Sequence, residues 1–197
     1  MNRRILYRLA TVPAVLLAVC LMSMQPIGVC AQPPGVVLDT ITVLHVDGQG
    51  LTHEGVIVCN KLIAKDLRDI FAELYRQKYP IERIRPISDY DDDDERSMQA
   101  NNTSCYCYRQ IAGSSRLSKH AQGLAIDINP LYNPCVKRRK DGTLWVQPST
   151  GAPYVDRKKS FPYKLTRNDL CFRLFQQHGF QWGGDWHSTK DYQHFER

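Results

Sequence analysis

His120 and Asp127 stand seven positions apart in SRLSKHAQGLAIDINP, and Asp191 and His194 stand three apart near the C-terminus in DYQHFER. Two imidazoles, one carboxylate able to join them on a metal and one carboxylate to spare make up the set that zinc-assisted hydrolysis requires. Three protein ligands leave the fourth position of a tetrahedral site for water, whose pKa the metal lowers toward ~7. A carboxylate outside the ligand shell can then take that water's proton and pass it to a leaving amine. Spacing alone does not decide the matter. A histidine and an aspartate can equally form a buried pair that satisfies itself, and an aspartate before an isoleucine is often the end of a strand. Gly183 and Gly184 precede the second pair and permit close backbone approach there.

The neighbouring residues carry more. The run Ser118-Lys119-His120-Ala121-Gln122-Gly123-Leu124-Ala125-Ile126-Asp127-Ile128 resembles S-x-H-x-x-G-x-A-x-D-[IVL], the signature of zinc peptidases that cut bacterial peptidoglycan peptides. GGDW followed by DYQHFE is similar to that family's second block. The family holds D-alanyl-D-alanine carboxypeptidases, D-Ala-D-Ala dipeptidases and phage-type L-alanyl-D-glutamate endopeptidases. The resemblance runs over about residues 40–197 and is nearest to the endopeptidase-like branch, in which the base is Asp rather than Glu. It implies His120, Asp127 and His194 as the ligands of one zinc ion per chain and Asp191 as the base. It places Arg109, of the Tyr108-Arg109 pair, beside the scissile carbonyl, where a guanidinium would stabilise the developing oxyanion. Arg116 and a plain surface ion pair compete with that reading. Ser118 is expected to hydrogen-bond within the site or to substrate, or to serve the fold alone. Asp185 and Trp186 are expected to shape the cleft wall or to hold a ligand histidine's other ring nitrogen. His187 has no counterpart in the signature and is expected to be exposed.

The implied fold is α+β: a single small domain with an antiparallel sheet, helices packed on one side and a zinc cleft, as in DD-peptidase and hedgehog-like domains. The implied activity is hydrolysis of a peptide bond in the peptidoglycan stem peptide, of the L-alanyl-D-glutamate endopeptidase type. A D-alanyl-D-alanine carboxypeptidase is one alternative. A non-catalytic, zinc-containing wall-binding or regulatory module is the other, since fold does not fix function. The intact Asp191 and both ligand motifs favour the enzyme. Peptidoglycan or its peptides are the expected partner, acting on a monomer.

Several elements must position these residues. TITVLHVDGQGLTHEGVIV alternates apolar and polar residues around a Gly-containing turn, predicting a hairpin of roughly 40–47 and 53–58. Asn60 caps a helix in which Leu62, Ile63, Leu67, Ile70, Phe71, Leu74 and Tyr75 share a stripe, and Pro80 closes it. IERIRPI reads as a short strand. SDYDDDDERSMQANNTS reads as a polar loop whose Asp91 to Asp94 are solvated, because EF-hand spacing is missing. CYCYRQI reads as a strand. Residues 130–163, rich in Pro, Gly and Lys, are expected to form a long surface excursion of functional weight. Asn168 caps a second helix with Leu170, Leu174 and Phe175 inward, ended by Gly179, and a strand, a Gly-rich turn and a terminal strand follow.

Composition bounds the rest. The 197 residues suit one domain, and 43% hydrophobic with 23% charged is ordinary for a soluble globular protein. The first residues differ: Arg3, Arg4 and Arg8 precede an apolar stretch, and GVCA ends it with Val29 and Ala31 suited to a signal-peptidase site. The expected organisation is a signal peptide over 1–31, a lead-in over 32–39 and the zinc peptidase domain over 40–197, with export to the periplasm or beyond. An uncleaved anchor is disfavoured by Pro13 and by the shortness of the run against a ~20-residue span. The leader holds three of the 26 Lys+Arg and none of the 20 Asp+Glu, so the mature chain carries +3. That balance excludes a nucleic-acid binder, and no membrane association is expected after cleavage. Cys59, Cys105, Cys107, Cys135 and Cys171 remain, and one or two disulfides are expected in an exported protein.

Overall fold

The computed structural model describes residues 33–111 and 113–197. The signal segment expected over 1–31 lies outside the described residues. Strand β1 (Leu38–Val46) and strand β2 (Thr52–Asn60) form the expected hairpin, antiparallel from the Leu38–Asn60 pair to the Val46–Thr52 pair. Their alternation puts Ile41, Val43, Ile57 and Cys59 on one buried face. Helix α1 (Lys61–Arg76) covers that face.

Asn60 accepts the Leu62 N–H on its side chain at 3.0 Å, which satisfies one of the unpaired donors at the helix start. The buried stripe is Ile63, Ala64, Leu67, Ile70, Phe71 and Leu74. Leu62, expected on it, is 76% exposed. A period of 3.6 residues centred on Ile63, Leu67, Ile70 and Leu74 leaves Leu62 on the far side and brings in Ala64.

The acidic segment departs from the solvated loop expected of it. Asp93 accepts the Arg96 N–H at 3.1 Å and caps a short helix, α2 (Asp94–Gln99). Strands β3 (Arg83–Ile84) and β4 (Asn102–Thr103) then pair in parallel. The run from Cys105 to Ile111 is not the strand expected there. Its backbone is shared between two neighbours, with the Tyr106 N–H donated to Val58 O at 3.0 Å and the Cys107 N–H to His120 O at 3.3 Å, so no continuous ladder forms.

Two three-stranded antiparallel sheets complete the fold. One orders β5 (Ala125–Asp127), β10 (His194–Glu196) and β8 (Gln181–Trp182) with β10 in the middle. The other places β6 (Cys135–Arg138) between β7 (Leu144–Gln147) and β9 (Thr189–Asp191). The segment 130–163 is therefore no plain loop: it supplies the β6–β7 hairpin, turned at Asp141-Gly142 with Gly142 at φ +83°. Helix α3 (Leu170–Gln177) is capped by Asp169 rather than Asn168, through a 2.8 Å bond from the Cys171 N–H. It buries Cys171, Phe172 and Phe175, while Leu170 and Leu174 are half-buried. Phe175 stacks on Phe195 of β10 at 4.4 Å between ring centres, which joins α3 to the strand that carries His194.

The architecture is a small α+β fold with few helices and several short antiparallel sheets, one pair being parallel, in place of the single sheet expected. All five described cysteines are free and buried, which corrects the expectation of a disulfide. No helix among the described residues is long and apolar enough to cross a membrane.

One contact ties the first half of the chain to the second. The Asn60 N–H is donated to Gly123 O at 2.9 Å and the Asn60 side-chain amide to Gln122 O at 2.9 Å. Gly123 sits at φ +65°, and a Cβ there would lie 2.6 Å from Asn60 N. Gly123→Ala is expected to destabilise the fold by roughly 1–2 kcal/mol for the left-handed backbone, with about 1–3 kcal/mol more for the overpacked contact. A urea or thermal unfolding curve checks this, and a wild-type midpoint would contradict it.

Candidate metal centre and its cleft

His120 opens a 3-10 turn, His120–Gln122, whose start is fixed by the His120 N–H donating to Ser118 Oγ at 3.2 Å. Its Nδ1–H is donated to Cys105 O at 2.7 Å, which leaves Nε2 as a bare lone pair. Asp127 ends β5 and stands directly across the ladder from His194 at the start of β10. The seven-residue spacing is thus one turn plus one short strand, and the long gap to His194 closes through strand pairing.

The three side chains meet at one point. His120 Nε2 lies 3.0 Å from His194 Nδ1 and 3.3 Å from Asp127 Oδ2, and His194 Nδ1 lies 3.1 Å from Asp127 Oδ1. Their exposures are 3, 4 and 5% for His120, Asp127 and His194. Among the described residues they are the one group of His, Cys, Asp and Glu side chains, three or more, whose ligand atoms lie within 4.8 Å of one another. His194 gives its other nitrogen, Nε2, to Glu196 Oε2 at 3.1 Å. Both histidines therefore spend their N–H groups outward, on Cys105 O and Glu196, and point lone pairs at each other beside a carboxylate. Three Lewis bases converging at one buried point form a group that could hold a metal ion. Burial opposes charge on His194, but the hydrogen bonds to Asp127 and Glu196, with the charges of Asp127 and Asp191, outweigh it and hold its pKa up at about 10. Burial would raise Asp127, yet protonated imidazoles beside it, His120 first and then His194, hold its carboxyl well below the usual carboxylate range. The donor set of two nitrogens and one oxygen, with imidazoles oriented by outer partners, suits zinc.

Asp191 closes β9, opposite Cys135 in the ladder. A Cβ on Gly183 would lie 2.7 Å from Asp191 O, 2.8 Å from Asp191 Cβ and 3.2 Å from His194 Cβ. The glycine thus lets the turn press against both residues, the close approach expected of it. Asp191 Oδ1 is buried without a hydrogen-bond partner. Burial lifts its pKa to about 6 against the pull of His194; the Asp127 charge adds to the rise and a hydrogen bond with the Cys135 thiol opposes it.

His120, Asp191, His194 and Glu196 line a cleft of about 700 Å³ that Arg109, Ser118 and Trp186 also line. The Trp186 ring lies 5.2 Å from that of His194, so it forms wall as expected. Arg109 reaches the cleft with its Nε 2.7 Å from Asp94 Oδ2. Burial works against its charge, but the combined pull of Asp94, Asp127, Cys107 and Asp191 outweighs it and raises the Arg109 pKa. Asp94 was expected in solvent; at 16% side-chain exposure it is instead the anchor of this arginine. Arg116 lines the cleft too. Asp185 does not join the site. The 3-10 turn Gly183–Asp185 sends its carboxylate to Arg167 at 2.6 Å, and the ring nitrogens it was expected to hold are taken by Cys105 O and Glu196. His187 is exposed, as expected.

Glu196 is the functional neighbour that sequence reasoning missed, and its signal was present: in a strand, a residue two after the ligand shares its face. Glu196→Gln is expected to weaken zinc binding about 10–100-fold while leaving the fold intact, read by competition with a chelating dye. Unchanged affinity would remove Glu196 from the site's support.

Residues 112–197 match a family model described as D-alanyl-D-alanine carboxypeptidase. The match takes in both motifs and starts well after residue 40, where the resemblance read from the sequence begins. No curated protein and no solved structure matches the chain.

Proposed function

We propose that this chain, whose residues 112–197 match a family model described as D-alanyl-D-alanine carboxypeptidase, is a zinc-dependent peptidase hydrolysing the peptidoglycan stem peptide. The observation that carries this reading is the convergence of His120 Nε2, His194 Nδ1 and the Asp127 carboxylate at distances of 3.0–3.3 Å. These three residues would hold one zinc ion per chain. When bound, zinc supplies a Lewis acid for the scissile carbonyl and lowers the pKa of water. Asp191, with an unpartnered oxygen in the cleft, takes a proton from the attacking water and delivers it to the leaving amine. Arg109, held by Asp94, donates to the carbonyl oxygen as negative charge develops there. Ser118 fixes the His120 turn, and Trp186 keeps water from one side of His194.

The cleft is lined by Arg109, Arg116, Lys119, Lys137 and Arg139 against the acids Asp191 and Glu196. That excess of cations supports an anionic peptide, and stem peptides carry free carboxylates. The aspartate in the role of base supports an L-alanyl-D-glutamate endopeptidase. The description of the matched family favours a second reading, a D-alanyl-D-alanine carboxypeptidase. Incubation of the zinc-loaded chain with purified peptidoglycan, followed by mass spectrometry, separates them. New L-alanine and D-glutamyl ends support the endopeptidase, and released D-alanine the carboxypeptidase. Bound zinc with no cleavage would replace both with a binding module.

The accompanying proposals are a DD-peptidase or hedgehog-like arrangement of the 40–197 domain, removal of residues 1–31 on export to the periplasm or beyond, and action as a monomer without nucleic-acid or membrane partners.

A further inference from the structure

A second groove, of about 440 Å³, shares no lining residue with the zinc cleft. It lies between the β1–β2 turn, the chain around β3, and the side chains of Tyr132 and Tyr163. Tyr163 occupies the left-handed backbone region at φ +56°, a conformation that a bulky residue adopts only under constraint and that concentrates at functional positions. Both its ends are held: its hydroxyl accepts the Gly48 N–H at 2.8 Å, and its carbonyl accepts from the Asn133 side chain at 2.9 Å. Its ring lies 5.0 Å from that of Tyr132, so two half-exposed aromatic surfaces stand side by side.

Around them stand polar groups with nothing to bind. His45 is 4% exposed and lines the groove, and it donates its Nδ1–H to Ile81 O at 2.7 Å, which leaves Nε2 as an acceptor with no protein partner. Burial holds its pKa below the ordinary value, so the ring is neutral at pH 7. Among the described residues, no hydrogen bond or ion pair engages the side chains of Glu54, Arg83 or Arg85, all of which line the groove. Its carboxylates, Asp47, Glu54 and Glu82, nearly balance those two arginines. Such a lining has no field for a polyanion or a polycation. It suits a neutral ligand with C–H faces for the tyrosines and hydroxyls for the surrounding donors and acceptors.

We propose that this groove binds a pyranose unit of a neutral glycan, the sugar strand to which the substrate's peptides are attached. The identity of that sugar rests on the peptidoglycan reading above; the groove's preference for a sugar does not. Bound there, a strand would hold the enzyme on its polymer while the zinc cleft works on the peptides.

The test is titration calorimetry of the zinc-loaded chain with the soluble trimer of N-acetylglucosamine, alongside hydrolysis of a soluble, sugar-free stem peptide. Saturable binding is expected, weakened about tenfold or more by Glu54→Ala or Arg85→Ala, both exposed and harmless to the fold, and by Tyr163→Ala. Peptide hydrolysis should stay unchanged in all three. Absence of trimer binding, or binding indifferent to these substitutions, overturns the proposal. So does saturation of the groove by inorganic phosphate or by a divalent metal at His45 and His53, whose rings lie 5.3 Å apart. Trimer binding by a chain that cleaves no peptide would uphold the groove and sink the peptidase reading, so the two fail separately.

Discussion

His120→Ala is expected to lose zinc and hydrolysis together. The substitution removes one of three ligand atoms, and two protein ligands do not retain zinc against ordinary buffer competition. Metal content by elemental analysis should fall from about one per chain to near zero. Hydrolysis should fall at least about 10³-fold, because several kcal/mol of charge stabilisation leave with the ion. The fold should survive, since the His120 turn is held by its backbone through Ser118 and Cys107. Added zinc should raise the melting temperature of the wild-type chain and leave that of the variant unmoved, as mass action requires of a ligand that binds only one of them. A variant with full zinc content would remove His120 from the ligand set and return it to a structural role.

Asp191→Ala separates the base from the ligands. It should keep zinc, because Asp191 is not among the three atoms that converge, yet lower kcat about 10²–10⁴-fold, the range over which a positioned proton acceptor contributes. The substrate's KM should change far less. The site is also relieved of a burial cost: the wild-type carboxyl is lifted to about 6 by desolvation, so truncation to alanine does not leave a charge stranded. A parallel loss of metal would show that Asp191 shapes the ligand sphere, and an unchanged kcat would require another base in the cleft.

Much of the site was legible in the chain, and the limits are physical. His120, Asp127 and His194 lie within ordered motifs whose spacing matches a turn, a strand and a paired strand. The β1–β2 hairpin and the Asn60 cap follow from local patterning. Asp94 did not, because its ion pair with Arg109 spans 15 positions and a run of four aspartates carries no apolar periodicity to betray a helix. Asp185 misled for the opposite reason: its place beside Gly184 suggested nearness to the metal, while the 3-10 turn aims it at Arg167. The β6–β7 hairpin had a sign, Asp141-Gly142, that was outweighed by the lysines and prolines around it. Leu62 shows that a hydrophobic residue next to a stripe need not belong to it.

The contact between Asn60 and Gly123 makes the matched segment inseparable from what precedes it. Residues 112–197 hold His120, Asp127, Asp191 and His194 but not Arg109, and the turn that carries His120 is moored to the end of β2, with His120 Nδ1 aimed by Cys105 O. An isolated C-terminal piece would contain all three proposed ligands and lack the jig that aligns them. The motif is therefore not a portable cassette: transplanted without residues 38–111, it would lose Arg109 and enter a host that cannot hold the remaining groups in register.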